Sequence, residues 1–191
     1  MRIGLFFGSF NPIHIGHLII GEYISNYYVD KVWFVISPQN PLKSEFELLD
    51  IDNRISLVKA AIADNEKFEF SDAELYLPLP SYTVNSLKYF KKKFPEHDFF
   101  LIMGSDNFLN LSKWKSPEVL LKNYNFLVYE RPKFEVSTQQ HFASNITLLE
   151  APLISISSTQ IRELISAGKS VRYLLPDAVL KIINRNQFYY K

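Results

Sequence analysis

Two imidazoles stand three positions apart in the stretch Gly8-Ser9-Phe10-Asn11-Pro12-Ile13-His14-Ile15-Gly16-His17. Such side chains donate hydrogen bonds to phosphate oxygens and, when protonated, offset the charge that grows during displacement at phosphorus. Gly8 and Gly16 allow backbone to approach an anion closely, and Ser9, Phe10 and Asn11 follow the first of them directly. Far along the chain, Ile156-Ser157-Ser158-Thr159-Gln160-Ile161-Arg162 gathers hydroxyls and a guanidinium where a helix should begin. Free amides and the helix dipole favour phosphate at such a start, and Arg162 on the first turn could meet its oxygens. Both stretches therefore suggest chemistry on a polyphosphate, done by positioning and neutralisation.

The elements that must position these groups can be read from spacing. Arg2 to Phe7 is an apolar strand, closed by Gly8 and Asn11-Pro12, and Gly16 to Tyr28 carries Leu18, Ile19 and Tyr23 at helical intervals. Lys31 to Ile36 is a second strand, and Gln39 to Leu49 reads as a surface loop. Ile51, Ile55, Val58 and Ile62 define one helical face, with Asp50 or Asp52 as its cap, and Phe68 to Phe70 is a third strand. Ser81-Tyr82-Thr83 opens a helix with Val84, Leu87 and Phe90 inward, Thr83 being a natural cap, and Phe99 to Met103 is a fourth strand. Ser116-Pro117-Glu118 is a helix start in which serine caps, and Asn125 to Tyr129 is a fifth strand. Helices then follow at Ser158-Thr159, closed by Gly168, and at Pro176-Asp177, running through Ile183.

Apolar strands alternating with helices predict an α/β fold: a Rossmann-like, doubly wound, mostly parallel sheet with helices on both faces. Residues 1–191 form one domain in this reading, with a small helical part from about residue 155. Ligands of such sheets bind beyond the strands' carboxyl ends, so the loops after Phe7, Ile36 and Met103 are where chemistry is expected. With 21 basic against 20 acidic residues, the chain has no general attraction for nucleic acid or an anionic membrane. The Lys91-Lys92-Lys93 run sits at a helix end, where cations suit the dipole. No apolar stretch is long enough to span a bilayer, and the absence of cysteine excludes disulfides and fits a cytoplasmic setting.

With both end motifs placed, the sequence resembles the nucleotidyltransferase superfamily that carries the His-x-Gly-His signature, and within it the bacterial nicotinate-nucleotide adenylyltransferases. The opening loop matches their signature loop, and Ile156 to Arg162 matches their Ile-Ser-Ser-Thr-x-Ile-Arg motif. Pro38 to Lys43 resembles the loop in which a lysine, here Lys43, approaches the phosphates. Pro80 to Leu87 resembles their Ser-Tyr-Thr-x-Asp-Thr-Leu stretch, with Asn85 and Ser86 in place of the usual residues. Gly104 and Asp106 match a Gly-x-Asp segment, although Asp106 could equally cap a short helix.

The resemblance implies catalysis by His14, His17, Lys43 and Arg162. It implies ATP contacts from Gly8, Ser9, Phe10, Gly16, Gly104, Asp106, Ser157, Ser158 and Thr159 as well as the histidines and Arg162. Mononucleotide contacts would come from Asn11, Lys43, Tyr82, Thr83, Val84, Asp106, Trp114, Lys115 and Arg131, with the indole of Trp114 stacking on a pyridine. The implied reaction joins the AMP part of ATP to nicotinate mononucleotide, giving nicotinate adenine dinucleotide and pyrophosphate, with Mg2+ arriving on ATP. A pantetheine-phosphate adenylyltransferase and a non-catalytic nucleotide sensor of the same fold are the alternatives. The residues leave nicotinate against nicotinamide mononucleotide open, and a homo-oligomer as well.

Overall fold

The computed structural model describes residues 1–38, 48–136 and 144–190. Its strands are β1 (Arg2–Gly8), β2 (Lys31–Ile36), β3 (Phe68–Ser71), β4 (Asp98–Gly104), β5 (Asn125–Tyr129) and β6 (Ile146–Leu149). They form one sheet in the order β3-β2-β1-β4-β5-β6, and every neighbouring pair is parallel. The expected α/β doubly wound fold is present, and its sheet is wholly parallel among the described residues. β6 goes beyond the five strands expected: Ile146-Thr147-Leu148-Leu149 is a short edge strand with only Leu149 buried, too brief to show a period.

Parallel neighbours need crossovers, and helices lie between β1 and β2, between β2 and β3, between β3 and β4 and between β4 and β5, with two more after β6. These are α1 (Ile15–Tyr27), α2 (Ile51–Ile62), α3 (Thr83–Lys93), α4 (Ser105–Leu109), α5 (Pro117–Asn123), α6 (Ser158–Ser166) and α7 (Asp177–Asn186). Strand alternation sorts the side chains into two cores. Phe6, Val32, Phe34, Ile36, Ile102 and Leu127 face one side, with Ile20 of α1, Val58 of α2, Ile161 of α6 and Ile183 of α7. Ile3, Leu5, Trp33, Val35, Leu101, Met103 and Phe126 face the other, with Leu87 of α3 and Leu120 of α5. A strand buried on both faces must be apolar throughout, which is why these runs carried no alternation.

Chain order runs outward from β1 in both directions, through β2 and β3 on one flank and β4 to β6 on the other. The loops leaving β1 and β4 therefore part to opposite faces, and a crevice opens above their carboxyl ends.

Three local expectations change. The fully buried side of α2 is Arg54, Leu57, Val58, Ala61 and Ile62; Val58 and Ile62 point inward as expected, Ile51 and Ile55 pack half-buried at the edge of the core, and the stripe carries an arginine. Ser116 has φ 53, in the left-handed region, and its side chain caps nothing, although Pro117 and Glu118 hold the expected first-turn places. The residue before α3 is Tyr82, so Thr83 is the first helical residue and not its cap.

The C-terminal helices pack into the main core: Ile161, Ile165, Val179 and Ile183 are buried in the same cluster as Phe6 and Phe34. Ile183→Ala should therefore lower global stability by about 2–4 kcal/mol, the usual cost of truncating a fully buried aliphatic side chain. Urea titration followed by tryptophan fluorescence and far-UV circular dichroism should show one coincident, shifted transition. A separate early transition would mean that α7 melts on its own.

Candidate active site

Beyond β1 the chain turns sharply. Phe10 has φ 45 and buries its ring edge-on to Phe6 and His17. A Cβ at Gly8 would lie 2.9 Å from the Phe10 ring, so a glycine is required there for Phe10 to fold under the loop. His14 caps α1 from an extended conformation. Its N–H donates to Nδ1 of His17 at 3.2 Å, and the two rings stack with centroids 3.8 Å apart. Accepting at Nδ1 leaves the proton of a neutral His17 on Nε2.

His14 is buried, and its Nδ1 has no hydrogen-bond partner. Burial above all, reinforced by the Arg131 guanidinium, pushes its pKa down to about 3. In the ligand-free protein it is thus a neutral imidazole near pH 7 and well below it. Gly16 makes room for that ring: a Cβ there would sit 3.0 Å from His14 Nδ1 and 2.9 Å from Ile154. It is not in the wall of either cavity described below. Nor are all amides at this helix start available, since the Ile15 N–H donates to the Leu174 carbonyl at 3.0 Å.

A cavity of about 450 Å³ fills the crevice above β1 and β4. Its wall gathers Gly8, Ser9, Phe10, Asn11, His14 and His17 from the first loop, Gly104 and Asp106 after β4, Arg131 after β5, and Ser157, Ser158, Thr159 and Arg162 at the start of α6. Two guanidiniums face one carboxylate, which suits an anion. Ser157, not Ser158, caps α6, accepting from the Gln160 N–H at 3.2 Å. That frees the Ser158 hydroxyl to donate to the Pro12 carbonyl at 2.9 Å. Arg162 falls in the second turn rather than the first, and its Nη1 donates to the Asn11 carbonyl at 3.0 Å. The two motifs, 146 and 151 residues apart at these contacts, are thereby joined directly.

A second cavity of about 230 Å³ adjoins the first and shares Phe7, Gly8, Asn107 and Trp114 with it. Tyr82, Thr83, Val84 and Lys115 line it, and Lys115 Nζ lies 4.3 Å from the centre of the Tyr82 ring. Trp114 is half-buried and forms part of both walls. Buried Ser86 donates its hydroxyl to the buried Glu74 carboxylate, so the hydroxyl retained at this position anchors α3.

Three residues expected at the mononucleotide, Asn11, Asp106 and Arg131, stand in the first cavity and not the second. Asn11 Oδ1 accepts from the Leu49 N–H at 3.1 Å and the Tyr189 hydroxyl at 2.8 Å, a scaffolding use of the side chain. Asp106 lies inside the first turn of α4, which Gly104 precedes, so it is not the helix cap either. Lys43 lies outside the described residues. Among the described residues, no group of three or more His, Cys, Asp or Glu could hold a metal ion. Asp106 is the one carboxylate in the wall of the first cavity.

Sequence reading missed Arg54, Glu74 and Tyr189. Arg54 showed no clear signal: period leaves it beside the expected apolar stripe, and the structure puts it on the buried side of α2, where a cation needs partners. Tyr189 had none, because its contact with Asn11 spans 178 residues.

A family model described as cytidylyltransferase-like matches residues 5–164, and the chain belongs to that family. Its relatives then narrow the kind. A protein of Cytophaga hutchinsonii named "Probable nicotinate-nucleotide adenylyltransferase" is 48% identical, covering 99% of this chain and 98% of that one. One of Flavobacterium johnsoniae with the same name is 45% identical over the whole of both. The Plasmodium falciparum nicotinic acid mononucleotide adenylyltransferase complexed with NaAD superposes with a TM-score of 0.85 at 23% identity, covering 98% of this chain and 97% of that one, a likeness of fold. No helix among the described residues is long and apolar enough to cross a membrane.

The depressed His14 pKa fixes a sign. An unfolded chain takes up a proton on this histidine below about 6.5, whereas the folded chain does so only near 3. Its contribution to stability is therefore complete above the first value and declines as pH falls through that window, by about 1.4 kcal/mol per pH unit for one proton. Denaturation followed between pH 7 and 4 should show this slope, and His14→Gln should lessen it. An unchanged slope in the variant would show that His14 is not held neutral.

Proposed function

We propose that this chain is a nicotinate-nucleotide adenylyltransferase acting on ATP and nicotinate mononucleotide. The observation that carries the reading is the pair of adjoining cavities. One is lined by histidines, arginines and a hydroxyl-rich helix start, the other by aromatic rings and two lysines, and Gly8 and Trp114 belong to both. Relatives at 45–48% identity over the full chain, bearing that activity in their names, support it.

In this reading the triphosphate lies in the first cavity and the pyridine ring of the mononucleotide against Trp114 in the second. An oxygen of the mononucleotide's phosphate attacks the α-phosphorus of ATP in line. The new P–O bond forms as the bond from the α-phosphorus to the bridging oxygen breaks, and pyrophosphate leaves with that electron pair. No protein nucleophile is needed, so catalysis rests on placement and on donors aimed at the charge that develops. His17 is the leading donor, since its Nδ1 is occupied by the His14 N–H and its Nε2 is the other face of the ring. Neutral His14 serves as a second donor, and phosphate beside it raises its pKa on binding. Arg162 and Lys43 would neutralise the β- and γ-phosphates as pyrophosphate departs. Tyr82, Thr83, Val84 and Lys115 would hold the nicotinate half, while Asn11 shapes the loop and Asp106 and Arg131 act from the ATP side.

Nucleotidyltransferases generally use ATP with a divalent metal, and Mg2+ is the ion proposed here. It would come as part of the substrate and draw charge off the phosphates. We read residues 1–191 as one domain with its helical C-terminal part built onto the site, working in the cytoplasm.

The test incubates the protein with ATP and Mg2+ and with nicotinate mononucleotide, nicotinamide mononucleotide or phosphopantetheine in parallel, measuring pyrophosphate and the adenylated product. Turnover should be highest with nicotinate mononucleotide, and His17→Ala should lower kcat by about 100-fold or more with a smaller change in KM. Preference for phosphopantetheine would move the substrate and keep the chemistry. Nucleotide binding without turnover on any of the three would overturn the assignment in favour of a sensor.

A further inference from the structure

Arg54 is 2% exposed, on the inner face of α2, and forms no ion pair among the described residues. Its partners are main-chain carbonyls. Nε donates to Leu49 at 2.9 Å, Nη1 to Ser9 at 2.8 Å and to Ser37 at 2.9 Å, and Nη2 to Pro38 at 3.1 Å. These carbonyls belong to the loop after β1, the loop after β2 and the residue pair leading into α2. Ser9 is in the wall of the first cavity and Ser37 in that of the second.

A buried cation costs free energy, and four neutral carbonyls offset it less well than a carboxylate would. Such an arrangement needs a use. An anion site built from backbone must turn carbonyls away and amides inward, because an oxygen facing a phosphate repels it. In a trans peptide the C=O and N–H point in opposite directions. Among the described residues, the peptide bonds that depart from trans are Asn11-Pro12 and Leu79-Pro80, so Ser9-Phe10 is trans. Holding the Ser9 oxygen on Arg54 thus sends the Phe10 N–H the other way.

We propose that Arg54 is a positioning residue for the triphosphate: its guanidinium fixes the carbonyls of the loops after β1 and β2, so that the Phe10 N–H faces the ATP cavity and the two loops hold the spacing the phosphates need. This rests on the reading above, in which the triphosphate occupies that cavity. Its charge also lies directly behind the loop, where little water screens it. Only a planar fork with five donors can serve four carbonyls at once, and the three donors of a lysine ammonium cannot.

The experiment compares the full-length wild type with Arg54→Lys and the apolar, similarly long Arg54→Met. Each is checked by circular dichroism and thermal unfolding. Each is then measured for steady-state kcat and KM with ATP varied, and for calorimetric Kd with a non-hydrolysable ATP analogue. The lysine variant should fold and lose about 10-fold in kcat/KM for ATP, with analogue binding weakened to match, and the methionine variant should lose about 100-fold. A folded lysine variant with kinetics and analogue Kd within about twofold of wild type, even with a lower Tm, would make Arg54 a purely structural residue and overturn the proposal. Failure of both variants to fold would overturn it too. If wild type transfers no adenylyl group to the mononucleotide, the function proposed above fails, while the analogue Kd values still decide the role of Arg54.

Discussion

The loop from Ser9 to Pro12 is held by its oxygens. Ser9 O is bound to Arg54, Asn11 O to Arg162, Pro12 O to the Ser158 hydroxyl, and Asn11 Oδ1 to the Leu49 amide and the Tyr189 hydroxyl. Every one of those donors comes from elsewhere in the chain: the approach to α2, α2 itself, α6, or the residues after α7. A short loop cannot place a phosphate by its own stiffness, and here α2 with its approach on one side and the C-terminal helical part on the other supply the restraint. Removing its acceptors from the ligand side leaves donors there, which is the electrostatic condition for receiving a polyanion.

Much of this was legible in the sequence because two kinds of signal were strong. β2 and β5 have the limits that their apolar runs indicate, and the glycine and proline punctuation after β1 marks the turn that carries the histidines. What escaped was what depends on contacts between remote residues. Period alone could not tell whether Ile55 or Arg54 centres the buried side of α2, since both belong to a broad stripe, and hydropathy favours the wrong one. Of the serines at helix starts, Ser116 misled. Ser116 takes a left-handed backbone, and Ser158 gives its hydroxyl to Pro12 while Ser157 caps, because local capping competes with a tertiary partner that sequence does not display.

The histidine pair shows the same limit in electrostatic form. Residue type allows two cations for a polyphosphate when both rings are protonated, but burial first and the Arg131 guanidinium second leave His14 uncharged. A neutral imidazole is the less costly resident of an empty site, since a second charge beside the guanidinium would be repelled and poorly solvated. In the proposed reaction, phosphates beside His14 would offset the repulsion by Arg131 while the burial remains, and proton uptake at His14 would be coupled to binding. A pair that was permanently charged would strain the empty protein and gain no more from the substrate.

This division of labour accounts for where the cations sit. Arg131 and Arg162 line the cavity and can follow the substrate, whereas Arg54 is sealed behind the loop and cannot. Arg162 has both tasks, since its Nη1 holds the Asn11 carbonyl while the side chain lines the cavity. Arg54, out of reach of the substrate, shapes the loop without also having to follow charge as it shifts to the departing pyrophosphate. Preorganised donors lower a barrier because they do not move when the charge does, and a buried arginine held by backbone alone is a means of keeping them still.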